Sequence, residues 1–308
     1  MPAASPCATT PRPVLLVTGA AGQVGREIVR APAAAGFSLV AFDRIGLDIT
    51  NRSAVMQAIA QVQPAVVINA AAYTAVDKAE SEPEAAFAIN RDGPAYLAEA
   101  CAVQGAALLH ISTDYVFDGA KSGPWVEDDP VSPLNIYGLS KAAGEAAIRE
   151  RLERHLTVRT SWVYGALGGG NFVKTMLRLG GERDRLTIVA DQHGCPTAAA
   201  DLAAALLTLA GRLVCDPVVP WGIMHAAGQG ETTWHGFARA IFAGAAARGA
   251  RTPVEVAAIP SVSYPTPAQR PANSVLACTR LHRQFGIILP PWAQSLDSVL
   301  DELIGPLR

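Results

Sequence analysis

The sequence predicts an α/β fold, a doubly wound parallel sheet with a smaller, discontinuous C-terminal domain. Three observations carry this. Apolar runs of strand length alternate with helical stretches as far as residue 165, a glycine-rich turn opens the first helix, and the alternation is lost after Trp162. Strands separated by helices imply βαβ units, and hence a parallel sheet covered on both faces.

Val14–Thr18 (VLLVT) is a continuous apolar run, as in a strand buried on both faces. A glycine-rich turn follows, then a helix from about Val24 that Pro32 should end or kink. Ser38–Phe42 reads as the second strand, 51–61 as a helix and 65–69 as the third strand. A long helical stretch covers 84–104, with the fourth strand at 107–112, a helix at 137–154 and a strand at 157–160. Beyond Trp162, glycines 168–170 mark a loop, and 201–212 is an Ala/Leu-rich helix able to return to the sheet. A strand is expected at 223–226, a helix at 233–248, a Pro-rich loop at 259–273 and a closing helix at 295–304. The expected division is 13–165 with 198–248 for the sheet domain, and 166–197 with 249–308 for the second domain.

Half of the 308 residues are hydrophobic and 17% are charged, which excludes a disordered chain. With 25 basic and 27 acidic residues the net charge is -2. That balance argues against a nucleic-acid or membrane-surface binder, since counterion release needs a basic excess. Cys7, Cys101, Cys195, Cys215 and Cys278 show no CxxC spacing and read as reduced thiols of a cytoplasmic protein. His110, His193, His225 and His235 are scattered, with no metal-ligand spacing. Residues 1–12 lack the basic start and apolar core of a signal peptide and read as a disordered tail. No apolar run reaches the roughly 18 residues of a membrane span.

Gly19, Gly22 and Gly25 follow the first strand immediately and open the first helix. Glycines there permit a tight turn and close approach of backbone to a pyrophosphate seated on a helix N-terminus. Three glycines near a turn can also be turn chemistry alone; their place after VLLVT favours a dinucleotide. Asp43 ends the second strand, 18 positions after Gly25, where an acidic residue takes the adenosine ribose hydroxyls. Arg44 beside it can meet a 2′-phosphate, so NADH versus NADPH stays open. Asp48 offers a contact to the adenine.

Tyr137 and Lys141 stand four apart at a helix start, on one face. A phenol with a pKa near ~10 holds its proton at neutral pH; an adjacent ammonium and a cationic nicotinamide favour the phenolate. The pair can then move a proton to or from a carbonyl or alcohol. Ser112, Thr113, Asp114 and Tyr115 lie at the C-terminal end of the fourth strand, the edge at which open α/β sheets place their sites. A hydroxyl there can bond the same carbonyl oxygen.

Together these features resemble an extended short-chain dehydrogenase/reductase. Longer strings narrow the resemblance: NAAAYTAVDKAESEP (69–83), STDYVFDG (112–119), PLNIYGLSKAAGE (133–145), RTSWVYG (159–165), NFVKTML (171–177), DQHGCPT (191–197) and YPTPAQRPANS (264–274) are similar to the dTDP-4-dehydrorhamnose reductase family, from about residue 14 to the C-terminus. The resemblance implies a Rossmann-type cofactor domain, a sugar-nucleotide-binding second domain, NADPH or NADH as cofactor, and a dTDP-sugar substrate reduced at C4. It implies Tyr137 as proton donor, Lys141 on the nicotinamide ribose and Thr113 on the carbonyl oxygen. Gly19, Gly22, Gln23 and Val24 would cradle the pyrophosphate, with Ala70, Ala71 and Tyr73 along the cofactor. Thr74, Val76, Asp114 and Tyr115 would surround the sugar, Trp162 would wall it, and Asn171, Arg270 and Asn273 would face the diphosphate. A reductase of another dTDP-4-keto-6-deoxysugar is the alternative within the fold. A non-catalytic NADP-binding regulatory subunit is the alternative outside catalysis, and the intact Thr113, Tyr137 and Lys141 argue against it. Some members of the family hold magnesium between subunits on three carboxylates. Here Glu27 and Glu302 match two places and Ala200 stands at the other, beside Asp201. No metal is therefore expected, and the chain is expected to be a monomer or weak homodimer without a nucleic-acid or membrane partner.

Overall fold

The computed structural model describes residues 12–307. Cys7 and the tail expected over 1–12, up to residue 11, lie outside the described residues. The first half folds as β1 (Val14–Thr18), α1 (Gln23–Arg30), β2 (Ser38–Phe42), α2 (Arg52–Val62), β3 (Val66–Asn69), α3 (Val76–Ala79), α4 (Pro83–Phe87), α5 (Gly93–Gln104), β4 (Ala107–Thr113), α6 (Ile136–Arg151) and β5 (His155–Thr160). The second half runs β6 (Val163–Tyr164), α7 (Phe172–Glu182), β7 (Arg185–Val189), β8 (His193–Gly194), β9 (Thr197–Ala198), α8 (Ala199–Cys215), β10 (Gly222–His225), β11 (Thr232–Thr233), α9 (Trp234–Ala247), β12 (Glu255–Ile259), α10 (Thr279–Phe285) and α11 (Trp292–Ile304).

Six parallel strands form the central sheet in the order β2-β1-β3-β4-β5-β10. Alternate side chains feed two cores. Leu15, Val17, Ile68, Leu109 and Val158 pack on one face against Ile28 of α1 and Leu202, Leu206 and Leu209 of α8. Leu16, Val67 and Leu108 pack on the other against Val55 and Ile59 of α2, Leu97 of α5 and Ile148 of α6. Burial on both faces is why these strands read as unbroken apolar runs. The chain leaves β1 for β2 on one side and returns to β3 on the other. This reversal opens a crevice at the C-terminal ends of β1 and β3, where open α/β sheets bind ligands.

Pro32 acts as its position predicts: α1 ends at Arg30, and Pro32–Gly36 forms a 3₁₀ turn. The stretch expected as one helix over 84–104 is three pieces, α4 and α5 joined through a π-helical turn at Ala88–Asp92. Ile259, expected in loop, closes β12, which pairs in parallel with β7.

A second core gathers Tyr164, Val173, Met176, Leu186, Phe237, Ile241, Leu296 and Leu300. Two pieces therefore pack differently from the expected division. The buried face of α9, Phe237, Ala238, Ile241 and Phe242, belongs to this second core and not to the sheet domain. Conversely, Leu281 and Phe285 of α10 pack into the sheet core. An amphipathic stripe tells that a helix face is buried, not against what. Among the described residues no helix is long and apolar enough to cross a membrane.

Candidate active site

The glycine turn is shaped for close approach. Gly19 has φ +72°, and a Cβ on it would lie 2.5 Å from the Ala71 nitrogen and 2.7 Å from the Ala70 oxygen. The turn after β1 and the turn after β3 are thus in direct contact. Gly22 caps α1 without any side-chain hydrogen bond, which leaves the first N–H groups of the helix for an anion. Gly22, Gln23 and Val24 line the same cleft as Ala70 and Ala71. These residues fit a dinucleotide pyrophosphate.

A cleft of about 540 Å³ at the end of β2 is lined by Ala20, Arg26, Phe42 and Asp43, the residue expected on the adenosine ribose. Asp43 Oδ1 accepts the N–H groups of Ile45 and Gly46 at 3.0 and 2.9 Å, which fixes the carboxylate at the strand end. Arg44 and Asp48 line the adjoining cleft with Gly19 and Ala70. Asp48 is held by Thr50, and those hydrogen bonds keep its carboxyl below the usual range. Arg26 is a second cation beside Asp43 that the motif reading missed; a lone arginine on an exposed helix face gives no signal in sequence.

The candidate reactive cleft, of about 480 Å³, is lined by Thr113, Asp114, Tyr137, Lys141 and Trp162 among others. Asn135 caps α6 by accepting the Gly138 N–H at 2.8 Å, and so sets Tyr137 in the first turn. Gly138 is required there: a Cβ would lie 2.2 Å from the Tyr115 oxygen. The rings of Tyr115 and Tyr137 meet edge-on, 5.6 Å between centroids. Burial pushes the Tyr137 phenol up to about 12, opposed by the neighbouring Thr113 hydroxyl. The sequence expects Lys141 to favour the phenolate. Lys141 is instead turned inward, donating to the Ile111 carbonyl at 2.6 Å with Nζ 3.2 Å from His110 Nε2. Thr113 also differs from expectation: its hydroxyl donates to Asp114 Oδ1 at 2.9 Å. Asp114 is 2% exposed, and burial raises its carboxyl to about 6.

Thr74, Val76, Tyr115 and Asn171 also line the cleft. Asn171 caps α7, accepting the Lys174 N–H at 3.1 Å and donating to Gln23 at 2.8 Å. Trp162 is held at φ +46° and stacks on Trp234 with ring centroids 3.5 Å apart. Trp234 also lines the cleft. The cleft is therefore lined by a pair of stacked indoles, and the second opens a helix 72 positions on, with no spacing signal to link the two.

Three expected contacts are engaged elsewhere. Tyr73 does not line the cleft: its hydroxyl donates to Glu82 at 2.8 Å, and its backbone N–H and carbonyl are both bonded by Asn90. Asn273 spends its amide on the carbonyls of Lys121 and Gly123 and the N–H of Val275. Arg270 makes a two-pronged pair with Asp77, at 3.0 and 2.8 Å. The Arg270 partner lies 193 positions away and the carbonyls bonded by Asn273 lie 152 and 150 away, while Glu82 is 9 from Tyr73. Asn90 was itself missed. It sits in the π-helical turn and holds residue 73 against α6, also donating to Ser140 at 3.0 Å.

Glu27 and Glu302, the two carboxylates matching magnesium ligands of the resembled family, are bridged by Arg30. Arg30 Nε donates to Glu27 at 2.6 Å, and the guanidinium reaches Glu302 with its other nitrogens. Asp201 accepts from Ser295 instead. Among the described residues no group of three His, Cys, Asp or Glu is placed to hold a metal ion.

Comparison with known proteins agrees with this geometry. The family model described as RmlD substrate binding domain matches residues 13–304. A dTDP-4-dehydrorhamnose reductase of Sinorhizobium fredii is 46% identical over 282 residues, 91% of this chain and 94% of that protein. The crystal structure of a dTDP-4-dehydrorhamnose reductase from Bacillus anthracis in complex with NADP superposes with a TM-score of 0.88 at 36% identity, covering 94% of this chain and 99% of that one. A Clostridium acetobutylicum dTDP-4-dehydrorhamnose reductase gives 0.87 at 39% identity, with coverage of 94% and 99%.

Proposed function

Because the chain belongs to the RmlD substrate binding domain family, we propose that it reduces the C4 ketone of dTDP-4-dehydro-β-L-rhamnose to dTDP-β-L-rhamnose, as a step of rhamnose biosynthesis. It is an NAD(P)H-dependent oxidoreductase. The reading places it in the cytoplasm, as a monomer or weak homodimer without nucleic-acid or membrane partners. The observation that supports it most is the joining of two sets of residues in one cleft. Gly22 and Ala70 lie at the ends of β1 and β3, and Thr113 at the end of β4 meets Tyr137 and Lys141 of α6.

Gly19, Gly22, Gln23 and Val24 would hold the pyrophosphate, Asp43 the adenosine ribose, and Lys141 the nicotinamide ribose. When bound, the nicotinamide supplies a hydride to C4. Tyr137 holds a proton in the cleft and gives it to the C4 oxygen as negative charge grows there. Its raised pKa keeps the donor loaded. Thr113 assists only after its bond to Asp114 opens, because one hydroxyl proton cannot serve both oxygens. The Trp162–Trp234 pair shields one face of the sugar. Arg270 reaches the diphosphate by exchanging Asp77 for phosphate oxygens, which suit its fork equally well.

The test is NADPH oxidation with enzymatically made dTDP-4-dehydrorhamnose and NMR of the product. Formation of dTDP-rhamnose supports the reading. The opposite C4 configuration would favour a different deoxysugar pathway. NADP binding without turnover would favour a regulatory subunit.

A further inference from the structure

A buried line of polar groups runs from the glycine turn to Lys141, and the chemistry above does not use its middle member. Thr18 Oγ1 donates to Asn69 Oδ1 at 2.7 Å, and the Ala71 backbone N–H donates to the same oxygen at 3.1 Å. A backbone N–H can only donate, so this orients the amide: Oδ1 accepts and Nδ2 donates. Asn69 Nδ2 lies 3.0 Å from His110 Nδ1, which must therefore offer a lone pair. A neutral imidazole with a bare Nδ1 carries its hydrogen on Nε2. That nitrogen is 3.2 Å from Lys141 Nζ. An ammonium has only donors, so it would set N–H against N–H here. A free amine has a lone pair to receive the His110 hydrogen while still donating to the Ile111 carbonyl at 2.6 Å.

We propose that His110 is a positioning residue of this site, held by Asn69 as the tautomer with its hydrogen on Nε2, so that it favours the amine form of Lys141 and brings the lysine into amine–ammonium exchange near neutral pH. His110, Asn69 and Thr18 are wholly buried and Lys141 is 1% exposed. The surrounding charges permit this. Glu145, one helical turn beyond Lys141, favours the ammonium, but Arg159 takes both of its oxygens at 2.9 and 2.6 Å. Tyr137, one turn before it, is held neutral by burial. His155, on the neighbouring strand, is itself pushed below its usual range by burial. Burial of Lys141 acts in the same direction as His110 and lowers the lysine to about 8. Burial, ahead of any charge on Lys141, drives His110 well below the usual histidine range, so it stays neutral in either form of the lysine.

The inference rests on the reading of Lys141 as part of the reactive site, but its main test needs no sugar. The Nζ resonance of Lys141 is followed by ¹⁵N NMR against pH in the full chain, in wild type and two variants. His110→Asn places its amide oxygen near the former Nδ1, keeps an acceptor for Asn69 and deletes the N–H facing Lys141. His110→Gln restores a donor near the former Nε2. The Lys141 midpoint should rise by about one pH unit in His110→Asn, a tenfold change in proton affinity, and return toward wild type in His110→Gln. The alkaline limb of kcat should move with it while KM for the sugar nucleotide stays in place. An unchanged midpoint in folded His110→Asn overturns the proposal. If that variant does not fold, histidine ¹⁵N shifts of the wild-type protein decide: a hydrogen on Nε2 of His110 supports the proposal, and one on Nδ1 overturns it. An enzyme inactive on the sugar whose Lys141 midpoint still shifts would sink the substrate assignment and leave this one standing.

Discussion

Tyr137→Phe removes one oxygen from the centre of the cleft and little else. The ring keeps its edge contact with Tyr115 at 5.6 Å, so packing should hold. General acid catalysis contributes roughly 100- to 10,000-fold, equivalent to about 2.7–5.5 kcal/mol on the barrier. Turnover should fall by that factor while NADPH affinity stays within about threefold, under ~1 kcal/mol. The pH dependence follows from the direction of the shift. With the phenol at about 12, only about one molecule in ten thousand would be a phenolate at pH 8. Raising pH to about 10 therefore leaves the donor loaded, and kcat for reduction should show no limb from Tyr137 in that range. Initial rates of NADPH oxidation across pH, with circular dichroism to confirm folding, check both statements. Wild-type turnover in Tyr137→Phe would assign the proton to another group. An alkaline limb near pH 8 unmoved by His110→Asn would mean that Tyr137 itself titrates there, against the burial argument.

Other outcomes are as definite. Arg270→Ala should raise KM for the sugar nucleotide about 10- to 150-fold, the worth of a charge-assisted contact of roughly 1.5–3 kcal/mol, with cofactor affinity unchanged; an unmoved KM puts the diphosphate elsewhere. Glu145→Ala strands the Arg159 guanidinium, which is 2% exposed. It should cost about 3–5 kcal/mol in urea unfolding, and a loss below about 1 kcal/mol would mean that the pair relaxes into solvent. Both NADH and NADPH should support turnover, with Asp43 on ribose hydroxyls and Arg44 on a 2′-phosphate; a preference beyond about 1000-fold, roughly 4 kcal/mol, would remove one residue from the site. Sedimentation and activity should be the same with and without EDTA, since Arg30 already bridges Glu27 and Glu302. A dimer that falls apart on chelation refutes this.

Much of this was legible in sequence. The bounds of β1 and β2 coincide with two apolar runs, and residues 112–115 and the Tyr137–Lys141 pair line one cleft. What was not legible depends on partners far along the chain. Spacing puts Lys141 on the face of Tyr137, but the direction of its amine is decided by Ile111 and His110 on β4. The family resemblance offers Arg270 to the diphosphate, but its resting partner is Asp77, 193 positions away. The apolar face of α9 is plain, whereas its choice of the second core over the sheet follows from α7 and α11 closing on it.

The π-helical turn at Ala88–Asp92 has a consequence for changes in chain length. A widened turn amounts to one extra residue spliced into an α-helix. Removing a residue from 88–92 would restore regular winding but rotate everything on one side of the cut by about 100°. Either Asn90 would swing away from the backbone of Tyr73, or Leu97 would leave the sheet core. Point substitutions along this stretch can be absorbed one contact at a time; a single-codon deletion sets the loop after β3 against the hydrophobic core, and no local repacking satisfies both.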